Sequence, residues 1–368
     1  MKKNSVPLIM AAMLLAVLPT AVSAHPKMAS GTITVIAKGL NNPRGLAIAA
    51  DGSIYVAEAG SGGKGPCVKG ESGPTCFGLT GAIARIHQGK VSRIVTGLPS
   101  VAGSNGSESS GPFDLTVAAD GSMNLTIQGV DRATPQSFGK AGALLQHLVR
   151  VEVGGTPHAI ANLYSYETVN NPDGREINSD PCALVTQGTR EIVADAAAND
   201  LLAVDATGNV STLAVLPSRI VMGPGGKQIP METVPDALAV GPDGAYYVGE
   251  LTGFPFPVGG ARIYRVQPGN KPTVYATGFT NIISLAFGPD HSLYVLEIFK
   301  GGLGKVDPKK PASTLGAVIR LAPDGTRTTI ADRGLVAPTG LAVSATGEIY
   351  VSNFGVFSGA GEVVRITP

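Results

Sequence analysis

The stretch PRGLAIAADGSIYVAE, Pro43–Glu58, reads as a β-hairpin written out in full. A short apolar strand ends in Asp51-Gly52, a pair suited to a tight turn, and Ile-Tyr-Val-Ala-Glu58 returns along it. The phrase recurs. Copies begin at Pro112, Pro181, Pro235, Ile282 and Pro338, and each places a leucine at the same step: Leu46, Leu115, Leu184, Leu238, Leu285 and Leu341. Most copies continue into a third strand with a late arginine (Arg85, Arg150, Arg265, Arg320, Arg365), and a turn then leads to a fourth, as in Val210–Val215. The arginines fit a structural role, with the stem along the strand and the head hydrogen-bonded at the blade edge. Starts spaced 69, 69, 54, 47 and 56 residues apart, each opening a four-stranded unit, define an all-β, six-bladed β-propeller of antiparallel blades.

Closure fits the same count. The last unit stops after its third strand, while Thr32–Ile36 is a fourth strand with no unit of its own. Pairing the two removes exposed sheet edges. The expected organisation is therefore a signal peptide over residues 1–24, a short extension over 25–31 and one propeller over 32–368. Composition agrees. With 49 Gly and 27 Pro in 368 residues, long helices are disfavoured, and 43% hydrophobic residues exclude disorder. A net charge of +1 provides no field for nucleic acid or an anionic membrane.

Lys2 and Lys3, an apolar run from Leu8 to Leu18, and Ala21-Val-Ser-Ala24 are the parts of an export signal, cleaved after Ala24. The mature chain is then expected to be a soluble monomer, periplasmic or extracellular, without a membrane span. In such a compartment Cys67 and Cys76, nine residues apart in a Gly/Pro-rich loop, are expected to form a disulfide. Zinc would need ligands beyond these two and His87. Cys182, ahead of Ala-Leu-Val185, reads as a small buried thiol.

Naming the strands a to d in each unit puts the a–b and c–d turns on one face and the b–c and d–a loops on the other. Long segments fall on the second face, over residues 59–80, 128–146, 162–180 and 216–234. Ligand-binding loops collect on such a face of a rigid scaffold. Strand b reaches it with Glu58, Glu250, Glu297 and Asn353, and Asp195 stands one position out of register. Two readings stay open: a ring of oxygen ligands at the channel mouth, calcium being the cation it suits, or caps on backbone N–H groups at strand ends. Tyr164, Tyr166, Phe254 and Phe256 add an aromatic rim for a flat small molecule, a polymer or a protein partner. Asp114 and Asp236 would sit inside that rim and orient a polar or cationic group.

The loop GSGGKGPC (Gly60–Cys67), GPTCFG (Gly73–Gly78), GAIAR (Gly81–Arg85) and VADAAANDLL (Val193–Leu202) accompany the repeated phrase. Together these features resemble the NHL-type and gluconolactonase-like six-bladed propellers, and more specifically the exported ScyD/ScyE family. That family takes its name from members associated with biosynthesis of the pigment scytonemin, and most of its members have no assigned activity. The resemblance implies an exported binding or scaffold propeller. Its alternative is an enzyme of secondary metabolism, either a metal-dependent, lactonase-like hydrolase or an oxidoreductase of phenolic or indolic compounds. Gluconolactonase-like enzymes place metal ligands at the second position of the phrase. Here those positions hold Arg44, Phe113, Cys182, Asp236, Ile283 and Thr339, so Asp236, with Asp114 one residue out of step, is what remains of such a set.

Overall fold

A computed structural model describes residues 31–70, 73–130, 135–307 and 309–367, so the export signal expected over residues 1–24 lies outside the described residues. Six four-stranded antiparallel blades form the ring. Their a strands are Pro43–Ile48, Pro112–Val117, Pro181–Gln187, Pro235–Val240, Ile282–Phe287 and Gly340–Val343, at all six copies of the phrase. The ring closes as expected: Thr32–Leu40 is the outer strand of blade 6 and pairs with Gly361–Thr367, Ile33 opposite Ile366 and Val35 opposite Val364. Inside, Ser352 Oγ and Thr339 Oγ1 of blade 6 donate to the carbonyl oxygens of Arg44 and Pro43, at 2.7 and 2.6 Å.

The repeat chemistry explains this geometry. All six phrase leucines are buried, because each faces the preceding blade of the ring rather than solvent. The core therefore lies between blades, as where Leu238, Val248 and Tyr264 of blade 4 pack on Ile192, Ala194 and Leu201 of blade 3. In the a–b turns Asp51, Asp120 and Asp290 accept the backbone N–H of Ser53, Ser122 and Ser292, at 2.9, 2.9 and 3.1 Å. Gly52 takes the left-handed conformation the turn needs, at φ 76°. The strand-c arginines reach those turns: Arg85 meets Asp51 at 2.8 Å, while Arg265 and Arg320 each meet an aspartate, Asp243 and Asp290, at 2.7 Å. They are half-exposed and stabilise by at most about 1 kcal/mol each.

The insertions on the loop-rich face carry structure of their own. Cys67–Gly70 pairs with the extended strand Gly73–His87, and the Cys67–Cys76 disulfide joins directly opposed residues of that hairpin. Cys182 is a buried free thiol. Segment 162–180 opens with helix α1, Leu163–Asn170, where Asn162 caps the N–H of Ser165 at 2.8 Å. Segment 216–234 contains the hairpin Arg219–Met222 with Gln228–Met231. No helix among the described residues is long and apolar enough to cross a membrane.

Candidate functional site

Second positions of the a strands form a layer across the channel, and the one cation in it is Arg44, which is buried. Its Nη2 donates to Ser109 O at 2.7 Å, its guanidinium lies 5.8 Å from the Phe113 ring centre, and its Nε meets no acceptor. Burial lowers its pKa to about 10, against the opposing fields of Cys182, Asp180, Asp236 and Glu108. Close packing of the a strands is what brings these groups together. A Cβ on Gly45 would fall 2.0 Å from Asp114 Oδ1, and one on Gly340 would fall 2.1 Å from Arg44 O.

Three carboxyls near this layer are held high by burial, and two of them, Asp180 and Asp236, lie in the field of Arg44. Asp114 rises to about 7, although it accepts the N–H groups of Leu115 and Leu184, both at 2.9 Å. Asp236 rises to about 6, moderated by Cys182 and Arg44. Asp180, one residue before strand a of blade 3, rises to about 7, with Asp236 and Asp195 adding to the burial effect. Asp180 accepts from Gly129 N at 3.1 Å and Gln128 Nε2 at 3.2 Å. Burial, with Asp236 and Asp180 beside it, pushes the Cys182 thiol well up, which opposes a nucleophilic role.

Asp180 also lies where two cavities meet on the loop-rich face. One, of about 360 Å³, is bounded by Arg175, Asn178, Ser179, Glu232 and Val234. The other, of about 600 Å³, is bounded by Pro74, Thr75, Ser104, Asn105 and Glu108. Ser110, Val130 and Asp180 line both. On the far side the channel opens toward the tight turns through a space of about 450 Å³, lined by Asp114 and Asp236 among mainly apolar residues.

The four carboxylates and the Asn353 amide at the strand-b ends are placed differently. Glu58, Asp195, Glu297 and Asn353 accept backbone N–H groups of the segment entering their own blade: Asn41 at 2.8 Å, Asp180 at 2.7 Å, Thr280 at 2.7 Å and Val336 at 2.6 Å. Glu250 accepts from Arg262 N at 2.9 Å and pairs with Arg219. All five are buried. They cap backbone and do not fit a calcium ion at the channel mouth, and the Arg44 guanidinium opposes one in the second-position layer. Among the described residues no three His, Cys, Asp or Glu side chains converge as ready-made metal ligands.

The four aromatics separate into two places. Tyr166 on α1 accepts from Thr212 N at 3.0 Å and shares a hydrogen bond with Thr212 Oγ1 at 2.9 Å, so it is fastened to the outer strand of blade 3. Tyr164 is half-buried on the same helix. Phe254 is exposed and meets Phe256 edge-on, with ring centres 6.2 Å apart. Sequence reasoning missed Asp180, Gln128 and the role of Arg44. The one available signal was the charged residue in an otherwise apolar second-position series.

No known family model matches the sequence, and no curated protein matches it. Solved structures do resemble the fold. A virginiamycin B lyase from Staphylococcus aureus superposes with TM-score 0.51 at 12% identity, covering 92% of this chain and 99% of that one. A calcium-binding protein, regucalcin, from Agrobacterium tumefaciens gives 0.52 at 11%, covering 92% and 98%. A glucose dehydrogenase gives 0.54 at 15%, covering 92% and 99%. At these identities the likeness establishes the six-bladed propeller architecture and leaves the chemistry open.

Proposed function

We propose that this chain is an exported binding propeller of the ScyD/ScyE type, whose ligand enters from the loop-rich face and is read at Asp180. One observation carries the reading: two cavities converge on a half-buried carboxyl, Asp180, that lies within the field of the buried Arg44. Such a floor suits a small polar molecule that donates hydrogen bonds, with the Ser, Asn and Thr side chains of the walls completing recognition. The exposed Phe254 and its neighbour Phe256 extend the contact area at the rim. Export is supported by the Cys67–Cys76 disulfide.

An enzymatic reading has its own support, since Asp180 and Asp236, raised to about 7 and about 6 beside Arg44, match the needs of general acid–base chemistry, with Asp114 at about 7 in the adjoining channel space. A thermal-shift screen of polar metabolites separates the two. Compounds that stabilise the native protein should lose their effect on Asp180→Asn and keep it on Asp205→Ala, a control on the tight-turn face. Turnover of any such compound that disappears in Asp114→Asn or Asp236→Asn would favour the enzyme instead.

A further inference from the structure

Blade 3 and the segment that leads into it bring four carboxylates, Glu167, Asp173, Asp195 and Asp200, into one another's neighbourhood. Asp195 and Asp200 are cross-strand partners on strands b and c, where opposed like charges are unfavourable. Glu167 is the buried acidic residue of α1, and Asp173 follows in the same loop with a side chain only 4% exposed. Two of the four are satisfied. Asp195 accepts from Ser179 Oγ at 2.6 Å and from three backbone N–H groups. Asp173 accepts from Arg175 N at 2.9 Å and Asn199 Nδ2 at 3.2 Å. The other two are not. Both oxygens of Glu167 and both of Asp200 are buried and meet no hydrogen-bond donor, in residues 2% and 0% exposed.

Carboxylates shut away from water need a counter-charge or a proton. The nearest cation, Arg175, stays 3.9 Å from Asp173 and is spent on Glu232 at 2.7 Å and Ser218 at 2.6 Å. We propose that Glu167 and Asp200 hold a hard divalent cation of the calcium class between α1 and strand c of blade 3. Calcium takes six to eight oxygens in flexible geometry, so two free carboxylates leave positions for backbone carbonyls and water. Asp195 and Asp173 add negative field without leaving their hydrogen bonds. Because the segment from α1 onward also carries Arg175 and Asp180, the ion would tie down the wall of the smaller loop-face cavity. The site stands whether or not that cavity binds a ligand.

The test is calcium itself on purified mature protein. After dialysis against chelator and then against calcium, inductively coupled plasma mass spectrometry should find about one ion per chain. The Tm should rise by roughly 5 °C or more over the chelated protein. Glu167→Gln with Asp200→Asn should abolish both effects, and Asp114→Asn should leave both intact. Three results would overturn the site: no retained ion, an ion lost in Asp114→Asn but kept in the double variant, or no Tm response with the double variant raising Tm in chelator. The last would mean that the two carboxyls share a proton.

Discussion

Asp114 of blade 2 accepts the backbone N–H of Leu184 in blade 3 at 2.9 Å, so a carboxyl that burial raises to about 7 stitches two blades together beside the channel. Asp180 and Glu297 are raised to about 7 and Asp236 to about 6, each chiefly by burial. A raised carboxyl binds its proton more tightly folded than unfolded, so its contribution to stability is present below its unfolded value near 4 and is lost as pH rises through 6 to 7. The turn aspartates Asp51, Asp120 and Asp324 are lowered by their hydrogen bonds and act in the opposite sense, losing stability as pH falls below about 4. Thermal melts should therefore peak between about pH 4 and 6 and decline toward pH 8. Asp114→Asn should flatten that decline. A Tm still rising from pH 5 to 8 would contradict the burial assignments.

Closure by the first strand makes a second expectation. Deleting residues 31–37 exposes the edge of Gly361–Thr367 and unseats Ala37, one of the packed residues at the blade 6 to blade 1 seam. The loss should exceed about 10 °C in Tm, far beyond what an exposed segment of that length contributes. Melting within a degree or two of the intact chain would show that the pairing is dispensable.

Glu250 is fully buried and its charge is answered by Arg219, whose side chain is only 14% exposed. Arg219→Ala leaves that carboxylate buried and unpaired, which costs about 3–5 kcal/mol. Denaturant unfolding measures it. Arg85→Ala, at a half-exposed pair with Asp51, should cost about 1 kcal/mol or less. Equal losses would mean that burial does not separate the two.

Cysteine labelling supplies a fourth. Native protein should react with no alkylating reagent, because Cys67 and Cys76 are joined and Cys182 is buried. Reduction should free two thiols, loosen the hairpin of residues 67–76 and cost about 2–3 kcal/mol without opening the ring. Hydrogen exchange confined to that hairpin is the expected pattern. Release of the whole of blade 1 would contradict it.

The fold was legible because one physical requirement recurs six times: a buried leucine, a tight turn and a returning strand, each with the same chemistry. The strand-b carboxylates were legible as positions but not as roles. Whether Glu58 faces the channel or the N–H of Asn41 depends on how the segment before Pro43 folds back, and no local pattern records that. Asp180 was harder still. It stands one residue before the repeated phrase, where the other blades carry no acidic residue (Asn42, Gly111, Val234, Asn281 and Ala337), and its neighbours Gln128 and Arg44 come from blades 2 and 1. Helix α1 was hidden for a related reason: LYSYETVN has few helix-favouring residues, and its stability comes from the Asn162 cap and from Tyr166 anchored on Thr212.

The most direct test of the binding site is a crystal structure series soaked with a library of small polar fragments. Bound fragments should collect in the two loop-face cavities, in contact with Asp180 and with Arg175 or Glu108, and Asp180→Asn crystals should lose them. Fragments gathered only in the channel space beside Asp114 and Asp236, with the loop-face cavities bare, would place recognition on the opposite face and contradict the account.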